Sequence, residues 1–303
     1  METPEILPRK RLRASGFADH EVRRMLGTGE LSPIRRGRYL RGALPENREA
    51  RHLLRARAAS AELTGDAVLS HVSAALLHGL TVWGVPLDLV HVTRPGRTGG
   101  RRGTRLHVHT APLREDDVVD VGGARTTSVA RTVADLARTV AFEAAVVVAD
   151  SALFGEYARR AELEAALESM ARWPGAPVAR RVLAFADERA DGPGESRSRV
   201  AMARNGIPAP QLQWEVRSER GEWIATVDFA WPERRTVAEF DGEIKYGRLL
   251  RPGQTAGDVL FAEKRREDAV RDRRWGVVRW CWDDIPDFPT VAARLRRSFD
   301  RPV

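Results

Sequence analysis

Residues 227–247, VDFAWPERRTVAEFDGEIKYG, carry the residue types and spacing with the clearest chemistry in the chain. Alternation along an extended strand puts Thr226, Asp228 and Ala230 on one face and Val227, Phe229 and Trp231 on the other. In the next stretch Val237, Glu239 and Asp241 share a face, with Ala238 and Phe240 opposite. A tight turn over 232–235 lays the two strands antiparallel. Asp228 then faces Glu239, and two or three carboxylates gather near one end. Acids this close repel one another unless a proton or a cation compensates. Oxygen donors without histidine or cysteine suit Mg2+ or Mn2+, so Asp228, Glu239 and Asp241 form the expected ligand set. Two of the chain's three lysines, Lys245 and Lys264, lie nearby in sequence and are expected to supply positive charge to a developing phosphate or to polarise a water. Glu195 opens a helix after the Gly192-Pro193-Gly194 turn and adds a fourth acid. The competing reading is an exposed strand face whose acids pair with arginines.

Other chemistries find less support. The seven histidines all lie before residue 110. His71 and His78 are expected on one helix face, and His107 and His109 on one strand face. Neither pair has a carboxylate at a familiar ligand spacing, so surface or core histidines are expected rather than a metal site. Cys281, the single cysteine, lies between two tryptophans and reads as a buried structural thiol. Residues 178–303 hold no histidine, so cysteine–histidine and serine–histidine catalysis within that segment are excluded by composition.

The formal charge of +8 is unevenly spread. Residues 1–60 hold 14 basic and 7 acidic side chains, whereas the rest is nearly balanced. A basic segment of this kind attracts a polyanion by counterion release. Arg35, Arg36 and Arg38 cluster about a turn at Gly37 and are candidate phosphate contacts. Arg248 and Arg251, in the loop after the acids, are further candidates. DNA is the expected partner, RNA remains open, and a protein partner is compatible with the pattern. No apolar run reaches 18 residues and the first residues lack the apolar core of a signal peptide, so no membrane span is expected and a cytoplasmic location is the default.

Three domains must position these groups. Residues 1–60 read as short helices and a small hairpin, a winged-helix DNA-binding pattern. Residues 61–177 alternate short strands with helices over 70–80, 128–138, 141–153 and 159–170, a small mixed α/β domain. The breaker Arg172-Trp-Pro-Gly-Ala-Pro177 leads into residues 178–303, which read as helix, three-strand meander, helix and strand. The expected fold class is therefore multidomain α/β.

The segments GESRSR at 194–199, VDFAWPE at 227–233, VAEFDGEIKYG at 237–247, EKRREDAVRD at 263–272 and WGVVRWCW at 275–282 resemble the PD-(D/E)XK nuclease superfamily. Within it they are most similar to the DUF559 group and to very short patch repair endonucleases. The resemblance covers about residues 180–303 and implies a restriction-endonuclease-like α/β core that hydrolyses phosphodiesters with a divalent metal. Carried onto this chain, it assigns Glu195, Asp228 and Glu239 as the acids. The chain departs from the pattern two residues after Glu239, where Asp241 stands in place of lysine; Lys245 or Lys264 would have to replace that charge. Residues 5–150, through GELSPIRRGRYL, SHVSAALLHGL, LVHVTRP and TSVARTVADLAR, resemble the AbiEi family of type IV antitoxins, which implies DNA binding. The combined expectation is a metal-dependent endonuclease targeted by its N-terminal domain. The alternative is a non-enzymatic antitoxin or transcriptional regulator with an inactive nuclease-like scaffold.

Overall fold

The computed structural model describes residues 5–96, 99–242, 265, 266, 268 and 270–301. The chain divides into two compact units, one of residues 1–148 with 156–184 and one of 149–155 with 185–303.

The first unit begins with β1 (Ile6–Pro8), α1 (Arg9–Ala14), α2 (Asp19–Gly27), β2 (Leu31–Arg35) and β3 (Arg38–Arg41), in a three-stranded antiparallel sheet of order β1-β3-β2. Leu7, Leu12, Val22, Met25, Leu31 and Tyr39 form its small core. The β2–β3 turn places Arg35 opposite Arg38, with Gly37 at φ +70°, a conformation that costs glycine little.

There follow α3 (Arg48–Ser60), β4 (Val68–Leu69), α4 (His71–Leu77), β5 (Val90–Arg94), β6 (Arg101–Arg102), β7 (Leu106–Thr110), β8 (Val118–Val121), β9 (Ala124–Thr127) and α5 (Val129–Thr139). The strands make one mixed sheet of order β6-β7-β5-β4-β9-β8, in which β5 and β7 run parallel. Asn47 caps α3 by accepting the Ala50 N–H, and Ser128 caps α5 by accepting the Arg131 N–H. Ala56, Ala59, Leu69, Leu77, Val90, Val92 and Ala124 fill the space between helices and sheet. The helices α6 (Phe142–Phe154), α7 (Arg160–Ser169) and α8 (Ala176–Phe185) come next. The apolar run in α6 is buried, as its composition requires.

The second unit consists of α9 (Pro193–Arg204), β10 (Gln211–Arg217), β11 (Trp223–Trp231), β12 (Thr236–Phe240), helical residues between 265 and 270, β13 (Gly276–Trp280) and α10 (Phe288–Phe299). Its sheet has order β10-β11-β12-β13; the first three strands are antiparallel neighbours and β13 is parallel to β12. One sheet face packs Leu212, Phe229, Trp231, Ala238 and Trp280 against α9 and α10. The other buries Val216, Ala225, Val227, Val237 and Val270.

Two sequence expectations are corrected here. Val227 does not share a core with Phe229 and Trp231. The two strands change face at Gln213 and Asp228, which lie between the register pairs Leu212↔Phe229 and Trp214↔Val227, and Gln213 is left-handed at φ +49°. This local break in alternation is what a bulge-like distortion does. Cys281 is exposed rather than buried, because β13 ends at Trp280 and the chain turns at once into a 3-10 turn over Trp282–Asp284.

Candidate functional site

The acid cluster forms where α9, β11 and β12 meet. Gly194 lets α9 approach the sheet; a Cβ there would fall 2.0 Å from the Phe240 ring. That approach seats Glu195, 6% exposed, in the first turn of α9. Its carboxylate accepts the Asp191 N–H at 3.1 Å and the Gln213 side-chain amide at 3.2–3.3 Å. Burial, and then the neighbouring Asp228, push its pKa up to about 8. Asp228 accepts the Phe240 N–H at 2.8 Å, a bond that favours its charged form. Burial outweighs that bond, and Asp241 adds repulsion, so Asp228 is also raised. The β11–β12 register runs from Trp231↔Thr236 to Phe229↔Ala238, and beyond it the bond from the Phe240 N–H ties Asp228 to the end of β12.

Glu239, 9% exposed, is held by two guanidiniums: Arg266 Nη2 at 3.1 Å and Arg279 Nη2 at 2.5 Å. Arg279 is its register partner across the parallel β12–β13 pair and also lies 3.9 Å from Asp241. The sequence reading missed both arginines. Arg279 was legible only once β13 is known to lie parallel beside β12. Lys245, Lys264, Arg248 and Arg251 lie outside the described residues.

The raised Glu195 has a consequence for stability. The folded chain keeps this proton to about pH 8, whereas the unfolded chain releases it near 4.5. Folding therefore takes up a proton in that window, and stability declines as pH rises through it, by at most about 1.4 kcal/mol per pH unit, then levels off. Asp150, bonded to Ser196, Arg199 and the Asp187 N–H and raised to about 6, acts in the same direction at lower pH. Glu195→Gln is expected to flatten the decline between pH 6 and 8, read from thermal unfolding in chelator; an unchanged slope would remove Glu195 as its source.

The candidate phosphate-binding arginines are partly committed. Arg35 and Arg38 each place Nε 3.3 Å from a carboxylate oxygen of Glu62. Arg36 lines a cavity of about 750 Å³ with Arg9, Arg35, Arg55 and Arg105, so the described structure gathers arginines from four segments at the β2–β3 turn.

The expectation that the histidines form no ligand set is overturned. His71, His91 and His109 bring three ring nitrogens within 4.8 Å of one another, an arrangement capable of coordinating a metal ion. Among the described residues this is the set of three histidine, cysteine or carboxylate donors found that close. His71 is 4% exposed, and the other two are partly buried. The parallel β5–β7 register pairs His91 with His107 and Thr93 with His109, so one sheet face carries three histidines. His71 enters from the start of α4 and stacks on His109, with ring centres 3.7 Å apart. His78, seven residues on, is not part of the group; its Nε2 bonds the Thr127 carbonyl. No sequence motif announces this cluster, since its members come from three separate segments.

Burial, then the neighbouring rings, hold His91 and His109 down at about 3, and His71 lies well below its usual value. These groups stay neutral in the fold while the unfolded chain protonates them near 6.5. Their contribution is present above pH 6.5 and is lost as pH falls toward 3. Urea midpoints are expected to drop between pH 7 and 4.5, and His91→Asn to reduce that drop; an equal drop in the variant would assign the acid sensitivity elsewhere.

No known family model matches the chain. The uncharacterized proteins MT2308 and Rv2248, from two strains of Mycobacterium tuberculosis, are each 33% identical to it over 183 residues. The match covers 60% of this chain, and the chain spans 64% of the length of these curated relatives. Among solved structures, the RV2827C protein from Mycobacterium tuberculosis aligns over 71% of this chain and 84% of its own, at 14% identity and a TM-score of 0.40. Among the described residues, no helix is long and apolar enough to cross a membrane.

Proposed function

We propose that the chain is a nucleic-acid-binding protein whose second unit is a divalent-metal-dependent endonuclease, with DNA as substrate. The observation that carries this reading is buried Glu195 with half-buried Asp228, both raised, beside Glu239 and Asp241 at one end of a mixed sheet. Order along the chain adds support: a helix bearing Glu195, three antiparallel strands, a helical segment and a parallel strand, as in restriction-endonuclease-like cores.

The acids are the hard oxygen donors that suit Mg2+ or Mn2+. Among the described residues they are not drawn together as three ligands, and both Glu239 oxygens are held by arginines, so holding an ion would require them to close in. Burial chiefly raises Glu195 and Asp228, and the added repulsion, from Asp228 on Glu195 and from Asp241 on Asp228, is what a bound cation relieves. Asp228, Glu239 and Asp241 would hold the ion, which when bound supplies charge to the scissile phosphate and acidifies a water. Glu195, protonated up to about pH 8, orients Gln213 and the Asp191 turn around the site. Arg266 and Arg279 bring positive charge to the edge of the cluster, where Asp241 stands at the position the nuclease pattern gives to lysine. Arg35 and Arg36, with the other arginines of their cavity, and Arg38 across the turn meet the phosphate backbone.

One observation favours a second reading. Glu239 is engaged by two arginines, as a structural acid would be. The chain would then be a regulator of antitoxin type that binds an operator and does not cut it. Incubating supercoiled plasmid and single-stranded DNA with the full chain in Mg2+ or Mn2+ separates the two. Metal-dependent nicking supports the nuclease; operator binding by folded protein with no cutting of either substrate supports the regulator.

A further inference from the structure

The first unit holds a second constellation that plays no part in the acid site. His71, His91 and His109 converge from the start of α4, from β5 and from β7. His109 Nε2 and His91 Nδ1 stand 3.1 Å apart. Two imidazole nitrogens on one tetrahedral ion, at metal–nitrogen distances of 2.0–2.1 Å, are separated by roughly 3.3 Å. The pair is therefore already at near-ligating separation, and a metal would take the place of the bridging proton, which would move to the other nitrogen of its own ring so that both imidazoles ligate neutral. Since all three nitrogens lie within 4.8 Å, an adjustment of at most about 1.5 Å completes a three-histidine set.

The surroundings hold these rings in place. Ser70 Oγ lies 3.0 Å from His71 Nδ1, which leaves Nε2 for another partner. His71 itself sits at φ +50°, an unfavourable backbone conformation for a residue with a Cβ, kept here by burial on all sides. Behind β5, the buried His52 bonds Ser73 Oγ at 2.8 Å, and Ser73 Oγ accepts the His91 N–H at 2.8 Å, which fixes the strand carrying His91. In front, His71 and His109 line a cavity of about 550 Å³ together with Asp135, Arg138, Arg172 and Trp173.

We propose that His71, His91 and His109 bind a borderline transition-metal ion of the Zn2+ type, with a fourth position open to this cavity for water or a small oxyanion. Imidazole-only donors select Zn2+, Co2+, Ni2+ or Cu2+ over Mg2+, which separates this site from the acid cluster. Three neutral ligands leave the ion's charge uncompensated. Asp135 already bonds Arg131 and Arg138, so the balancing negative charge comes from the ligand in the cavity.

The test is direct metal binding by the full chain, stripped with chelator. Titration with Zn2+, and with Co2+ followed by its visible absorption, is expected to give one ion per chain with the spectrum of a four-coordinate nitrogen site. Phosphate is expected to perturb that spectrum. His91→Asn and His109→Asn are expected to weaken binding by more than the roughly 10–100-fold that loss of an outer-shell partner costs. His107→Asn, which alters a ring stacked on His109 at 4.0 Å but outside the set, should keep it. Circular dichroism of each variant establishes folding. No Co2+ spectrum from folded wild type, or binding unchanged in both ligand variants, overturns the proposal. Loss in His107→Asn alone moves the ion elsewhere and overturns it too. Plasmid cleavage in Mg2+ is read separately, so failure of either site leaves the other standing.

Discussion

Asp228→Ala is expected to lower metal-dependent DNA cleavage by about 10³-fold, the upper range for removing one preorganised electrostatic group from an active site. The side chain is half-buried, accepts the N–H of Phe240 at the end of β12 and is raised by burial and by Asp241. Its removal relieves repulsion and costs the bond from the Phe240 N–H, worth about 1 kcal/mol, so the variant stays folded and the loss reads as chemistry. Glu239→Gln is expected to lose activity comparably, but with a different signature. Arg266 and Arg279 then lose the Glu239 carboxylate, so its unfolding midpoint falls while that of Asp228→Ala does not. Glu195→Gln keeps the hydrogen-bonding shape of a protonated acid and is expected to retain most activity below pH 8. Initial rates of plasmid nicking for the three variants, beside urea curves, make the comparison. Equal cutting by wild type and Asp228→Ala would sink the nuclease reading.

The second large effect is on stability. Arg131, 2% exposed, donates to Asp117 at 2.7 Å, to Asp135 at 2.8 Å and to the Pro112 carbonyl at 3.0 Å, and its guanidinium lies 5.1 Å from the Trp173 ring centre. Removing one partner of a buried ion pair leaves the other charge desolvated, which costs about 3–5 kcal/mol. Arg131→Met is expected to lower stability by that amount. Arg131→Met with Asp135→Leu should recover a part, because one of the two stranded acids is gone, while Asp117 stays unpaired and Arg138 gives up its own 2.8 Å ion pair with Asp135. Urea unfolding of both variants checks this. A single variant as stable as wild type would mean that water reaches Asp135 and Asp117 and compensates them.

Much of the second unit was legible before any coordinates. The β11 and β12 strands and their antiparallel turn follow from two-residue alternation and the Pro232–Arg235 turn. Glu195 was legible because the Gly-Pro-Gly break sets the start of α9. The arginines on Glu239 were not, because Arg279 reaches it only through a parallel pairing between strands some forty residues apart. The Val227 face was misread for a local reason: alternation holds only while backbone angles stay extended, and the left-handed Gln213 interrupts it.

The first unit divides the same way. Its basic excess, its helices and its short strands are properties of neighbouring residues, and the amino-acid order alone determined them. The histidine cluster is a property of the tertiary structure. His91 and His109 come together because β5 and β7 pair in parallel, and His71 joins them because β4 lies beside β5 and delivers the start of α4 to the same place. Periodicity assigns a side chain to a face, but which faces meet depends on strand order and crossover, which are set by burial summed over the whole sheet. The acids of 228–241 could be read from spacing because hairpin neighbours are close in sequence; the three histidines could be assembled only by the fold.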